Sequence, residues 1–143
     1  EIKARKRYST TSVIVALTLS APFFAIMFGG TFKDSLVAFL IMAIQAAFIT
    51  FTSKYKLTLF VSNFLGAFIG TVLVMLLNKI FLIHNPFSII IMSLMPLVPG
   101  VQVTNAVRDF MAGDHLSGMI GLQAAIFVST AIALGVVMGL KLV

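Results

Sequence analysis

Apolar residues run through this chain in five stretches separated by short polar breaks: approximately Ser12 to Phe28, Ser35 to Phe51, Leu57 to Leu77, Phe87 to Val103 and Leu116 to Leu140. At about 1.5 Å per residue even the shortest reaches some 25 Å, near the lower limit for crossing a roughly 30 Å hydrocarbon core. The pattern predicts an all-α polytopic membrane protein with five transmembrane helices. Gly29 to Asp34, Thr52 to Lys56, Asn78 to Pro86 and the polar run after the fourth stretch are too short to hold a soluble domain. The expected organisation is a basic cytosolic flank over residues 1–11 and a five-helix transmembrane domain over residues 12–143. No fixed-period repeat is visible, and five spans cannot complete an inverted repeat. A transporter built from this chain therefore needs a partner or copies of itself.

Composition supports the membrane assignment: 60% of the 143 residues are hydrophobic and 10% charged, against roughly 45 to 50% and 25% in soluble proteins. The formal charge of +6 does not point to nucleic acid, because Lys3, Arg5, Lys6 and Arg7 crowd the first seven positions and no basic face with interleaved aromatics follows. Those residues read as a positive-inside flank. An N-terminus inside places Lys3, Arg5, Lys6, Arg7, Lys54, Lys56 and Arg108 in the cytosol and Lys33, Lys79 and Lys141 opposite, so the C-terminus is expected outside. The chain starts at Glu1 without an initiator Met, which leads to the expectation of an upstream region. Without cysteine there is no disulfide, thiolate or Cys-based metal chemistry.

The fourth stretch carries two of the four prolines, with Gly100 beside them, and just beyond it lie two of the four acidic residues. Pro96 cannot donate to the Met92 carbonyl and Pro99 cannot donate to that of Met95, while Gly100 leaves the backbone uncovered. Released carbonyls and a new helix N-terminus are what discontinuous transporter helices use to hold charged groups; a proline kink alone is the other reading. Counting from Phe87, Pro99 is about 18 Å down and Arg108 about 32 Å, which puts the break at or just beyond the midplane. Thr104, Asn105, Arg108 and Asp109 share one broad helical face. That face either meets a substrate, with Arg108 pairing a carboxylate bidentately, or joins Asp114 in pinning the cytosolic turn.

The candidate substrate site is thus Met92, Met95, Pro96, Pro99, Gly100, Thr104 and Asn105, with Arg108, Asp109, Asp114 and Ser117 as gate or anchor. Small residues offer helix-packing faces: Ser62, Gly66 and Gly70 in the third stretch, Ser117, Gly121, Ala125, Ser129 and Ala133 in the fifth, and a separate pair, Gly135 and Gly139. Each serves packing within the chain or an oligomer interface. Gln45, Ser62, Asn63 and Gln123 are isolated polar residues, either interhelical hydrogen-bonding groups or parts of a polar path. His84 reads as a loop residue, and His115 beside Asp114 as a loop residue or pH sensor. No catalytic or metal-spaced constellation is present, so neither an enzyme nor a cofactor is expected.

The run Met95, Pro99, Gly100, Thr104, Asn105, Arg108, Asp109, Gly113, Asp114, Ser117 and Gly118, ending in Ala131, Ile132, Ala133, Leu134 and Gly135, resembles the signature of the bacterial threonine/serine exporter family. Phe28, Gly29 and Gly30 with Leu36, Val37, Ala38 and Phe39 look like its first hairpin. The resemblance implies a multi-pass inner-membrane exporter of small carboxylate-bearing metabolites, threonine, serine or a dicarboxylate such as succinate. It also implies a preceding soluble segment and a second half supplied by the same chain, by another copy or by a small membrane subunit. The family often has an arginine and a glutamate where this chain has Gly121 and Ala124, so any role of those charges is missing here. The alternative function is a non-transporting assembly subunit.

Overall fold

The computed structural model describes residues 9–55 and 57–143 as six helices: α1 (Thr10–Met27), α2 (Phe32–Lys54), α3 (Leu59–Phe81), α4 (Pro86–Leu94), α5 (Gly100–Met111) and α6 (His115–Leu142). There is no strand among the described residues. The basic cluster Lys3 to Arg7, and Lys56, lie outside them. Three helices, α2, α3 and α6, are long and apolar enough to cross a bilayer, each with a mean hydropathy of 2.1. α1 is apolar but shorter. The expected fourth span is divided: α4 and α5, with 9 and 12 residues, are each too short to cross a roughly 30 Å core alone at 1.5 Å per residue. Three of the five expected spans therefore have a helix that suffices by itself.

Local chemistry sets the element ends. Gly29, at φ +87°, takes the left-handed conformation that turns the chain out of α1. A capping box opens α2: Thr31 N–H donates to Asp34 Oδ2 at 2.8 Å and Asp34 N–H to Thr31 Oγ1 at 3.4 Å. Asn85 caps α4 by accepting from Ser88 N–H at 3.4 Å, with Pro86 at the first helical position. The two turns at this end are tied together. His84 N–H donates to Asp34 Oδ1 at 3.0 Å, and Ser88 Oγ donates to the Phe28 carbonyl at 2.7 Å.

One apolar core joins α1, α2 and α4 to Val74 of α3, through Ala21, Ala25, Ala38, Ile41, Ile89 and Met92. A second, formed by Ala67, Leu97, Val128 and Ile132, joins α3 and α6 to the segment before α5. The outer surface stays apolar: Phe23, Ile44, Leu59 and Phe127 are exposed, as suits side chains facing lipid rather than water.

Close backbone approach holds α3 to α6. A Cβ on Gly135 would lie 2.5 Å from the Phe64 carbonyl oxygen, and one on Gly139 would lie 2.9 Å from Thr71 Cβ. Because later residues of α6 meet later residues of α3, the two helices run in the same direction. α5 folds back antiparallel on α6, where a Cβ on Gly121 would be 3.1 Å from Ala106 Cβ and one on Gly118 would be 2.9 Å from the Phe110 ring. The buried face of α6 is therefore Gly118, Ala125, Val128, Ala131, Ile132, Gly135 and Gly139 with half-buried Gly121. This corrects the expected stripe, since Ser117, Ser129 and Ala133 are exposed. Steps of four residues drift about 40° per step around a helix with 3.6 residues per turn, so that stripe winds off the interface. Alternating three and four steps merges Gly121 with Gly135 and Gly139 on one face.

From Gly135, level with Ala67, α6 reaches back twenty residues to His115, while α3 reaches back only eight to Leu59. At 1.5 Å per residue α6 overshoots the start of α3 by about 18 Å, and α5 packs on this overhang. Gly135→Ala should lower unfolding stability in detergent by about 1 to 3 kcal/mol, because the clashing atom is backbone. Ser129→Ala, on the exposed face, should change it by less than about 0.5 kcal/mol.

Candidate functional site

Between α4 and α5 the backbone exchanges its hydrogen bonds rather than simply losing them. In a continuous helix each carbonyl receives the N–H four residues on. Pro96 has no N–H, and the Met92 carbonyl instead accepts from Met95 N–H at 3.1 Å. The Leu94 carbonyl takes both Leu97 N–H at 2.9 Å and Val98 N–H at 3.2 Å, and Gly100 N–H turns to the Val98 carbonyl at 2.8 Å. Helical bonding resumes with Val103 N–H on the Pro99 carbonyl at 3.1 Å. Leu97 is thereby diverted from Ser93, and Met95 would need a donor that Pro99 lacks. Gly100 is likewise diverted from Pro96, and Val101 N–H does not reach Leu97, so the Ser93, Met95, Pro96 and Leu97 carbonyls are left without a backbone donor. The expectation of a released carbonyl at Met92 is corrected, since a tighter turn closes on it, and the Met92 side chain is fully buried in the first core.

Gln45, at the middle of α2 and fully buried, supplies the missing donor. Its Nε2 donates to the Ser93 carbonyl at 2.7 Å and approaches the Gly66 carbonyl at 3.5 Å. The absent side chains of α3 make this possible. A Cβ on Gly70 would stand 2.6 Å from Gln45 Oε1 and 3.1 Å from Ser93 Oγ, and one on Gly66 would stand 3.2 Å from the Leu97 side chain. Gly66 and Gly70 thus face the interruption and α2, not α6, while Ser62 is half-buried. Gln45 Oε1 has no donor among the described residues.

Beyond Leu97 the interruption opens into a cleft of about 240 Å³, walled by Asn63, Pro96, Leu97, Pro99, Gln102 and Val128. It reaches the first two turns of α3, whereas Ser93 lies near that helix's middle, so the interruption spans a range of depth. Gln102 Oε1 is buried without a donor among the described residues. Asn63, only 9% exposed, donates from Nδ2 to the Leu59 carbonyl at 2.7 Å, and its Oδ1 has no partner among the described residues. On the other flank Leu94, Val98, Pro99, Ser129 and Val136 line a wider, mostly apolar groove of about 450 Å³.

Of the residues expected at a substrate site, Pro96 and Pro99 wall the cleft. Gly100 is exposed, with open space where a Cβ would stand, and Met95 is exposed on the interruption. Thr104 and Asn105 are exposed on α5 and do not line the cleft; Thr104 Oγ1 donates to the Gly100 carbonyl at 2.9 Å. Arg108 is exposed and Asp109 half-buried, and neither forms an ion pair among the described residues. Asp114 caps α6, accepting from Ser117 N–H at 3.1 Å. Hydrogen bonds from Ser117 hold its carboxyl below the usual carboxylate range, so the cap persists below the pH at which an ordinary aspartate protonates. Ser117 and Gln123 are exposed. Gln102 was hidden in the sequence because it falls inside the fourth apolar stretch; its place two residues after Gly100, on a new helix, is the signal that finds it.

Apolar helices gathered around an interrupted helix, with unpaired amide oxygens at the interruption, fit a helical membrane protein. The model of the ThrE family, whose description is "Putative threonine/serine exporter", matches residues 1–143, and the chain belongs to that family. No curated protein and no solved structure matches it.

Gln45→Leu should leave the Ser93 carbonyl bare and lower unfolding stability by about 1 to 3 kcal/mol. Gly70→Ala should act on the same bond by displacing Gln45. In a double-mutant cycle the two losses should then be less than additive, read by denaturation in detergent.

Proposed function

We propose that this protein exports small carboxylate-bearing metabolites, threonine or serine or a dicarboxylate such as succinate, by ion-coupled secondary transport. The observation that carries the reading is the interruption between Leu94 and Gly100 with its cleft of about 240 Å³. That volume lies below the roughly 300 to 1,000 Å³ of pockets for drug-sized ligands and suits a small metabolite. The N–H groups of Val101 and Gln102 have no backbone acceptor, and a helix N-terminus with free N–H groups favours a carboxylate.

In this reading α4 and α5 together are the fourth of five spans in a bacterial inner membrane, with the N-terminus cytosolic and the C-terminus outside. Met95, Pro96, Pro99 and Gly100 border the substrate, with Met92 behind them. Thr104, Asn105, Arg108, Asp109, Asp114 and Ser117 form the cytosolic approach or its anchor. A second copy, or a small membrane subunit, covers the apolar face of the α5–α6 hairpin and completes the path. The alternative, a non-transporting assembly subunit, draws on the exposure of Thr104, Asn105 and Arg108 away from the cleft.

Efflux of labelled threonine, serine and succinate from cells expressing the full-length protein tests this. Replacing Pro96 and Pro99 together by alanine restores two N–H groups and should reduce efflux at least tenfold at unchanged membrane abundance; Arg108→Ala should reduce it less. Undiminished efflux from the double variant sinks the site assignment. No movement of any of the three under any ion gradient in liposomes, with the partner present, sinks the exporter reading.

A further inference from the structure

We propose that the side-chain amides of Gln102 and Asn63 form a hydrogen-bond-acceptor subsite in the cleft that selects a substrate carrying an ammonium or hydroxyl donor over one with carboxylates alone. The inference rests on the exporter reading above and deepens it.

Two acceptors in one cleft lack donors among the described residues. Gln102 Oε1 is buried with no partner. Asn63 spends its amino group on the Leu59 carbonyl at 2.7 Å and leaves Oδ1 free in the same cleft. A buried acceptor left unpaired costs about 1 to 3 kcal/mol, so a fold would not retain Gln102 here for its own stability. Leucine or methionine would fill the position with no penalty. The cleft contains no Asp, Glu, Lys or Arg, so selection comes from amide dipoles rather than charge. Gln102 Oε1 and Asn63 Oδ1 accept from N–H or O–H, which a carboxylate, whose oxygens are acceptors, does not supply. A site built to bond a donor rejects an analogue lacking it far more strongly than an apolar pocket rejects a change of size. Gln45 Oε1, the other buried acceptor without a donor, is not in the cleft: its amide is committed to Ser93, and its role is to hold the interruption.

The test uses the full-length protein, with its partner if it has one, reconstituted in liposomes, with L-threonine and succinate as separate probes. Gln102→Leu should raise the half-saturating concentration for L-threonine at least tenfold and that for succinate less than twofold. It should leave the melting temperature equal or higher, because no protein partner is lost. Gln102→Glu, which keeps an acceptor oxygen, should retain L-threonine transport better than Gln102→Leu, and Asn63→Asp should do so relative to Asn63→Leu. In detergent, the melting-temperature rise caused by L-threonine should vanish in Gln102→Leu. Equal rises for both probes, an unchanged value for L-threonine, or a fall in melting temperature would overturn the subsite. So would a wild-type protein that moves succinate but not L-threonine; one that moves neither overturns the exporter reading itself.

Discussion

A helix interruption leaves carbonyl groups without their helical donors, and this structure depends on how the one at Ser93 is satisfied. Unpaired backbone groups cost several kcal/mol in hydrocarbon. Gln45 Nε2 meets the Ser93 carbonyl at 2.7 Å, and that bond needs a glutamine from α2 to pass across α3. Gly70 provides the passage, since a methyl group there would collide with the amide. Gly66 similarly receives Leu97, which sits where α4 ends and anchors the turn leading to α5. With the turn fixed, α5 leaves the bundle and packs along α6, which must be long enough to overshoot α3.

The two ends of the bundle are built differently. At the end of the α1–α2 turn, the backbone of His84 and the side chain of Ser88 tie the α3–α4 loop to Asp34 and Phe28. At the other end, α5 is supported mainly by α6, and the cleft opens between it and the first turns of α3. Hydrogen-bonded connections therefore close one end, while unpaired acceptors sit toward the other.

Much of the fold was legible because lipid imposes length and polarity on each span. The apolar stretches found α2, α3 and α6, and Pro96 and Pro99 fall between the end of α4 at Leu94 and the start of α5 at Gly100. The details that escaped depend on geometry that composition does not carry. Pro96 removes a donor from Met92, but the backbone tightened to give Met92 another, and Leu97 N–H turned to Leu94, which left Ser93 without one. The α6 stripe read at constant four-residue spacing lost its register because the helix turns 3.6 residues at a time, so Ser129 and Ala133 face outward. Gln45 and Asn63 stood out as polar residues in apolar surroundings, but nothing in the chain tied Gln45 to Ser93, 48 residues away. Gln102 stayed unnoticed beside Thr104, Asn105 and Arg108, the more conspicuous polar face of α5, which points away from the cleft.

The central claim, that the cleft at the interrupted helix is where substrate binds, is tested most directly by single-cysteine labelling, for which this chain offers a cysteine-free background. Val101, exposed at the rim of the cleft, is replaced by cysteine and treated with a membrane-impermeant thiol reagent, alongside Leu134→Cys on the outward face of α6. The account predicts that Val101→Cys is labelled and that L-threonine or succinate slows its labelling at least fivefold, while Leu134→Cys stays unlabelled. A Val101→Cys protein that resists the reagent from both sides of the membrane, or reacts at the same rate with every substrate present, would contradict it.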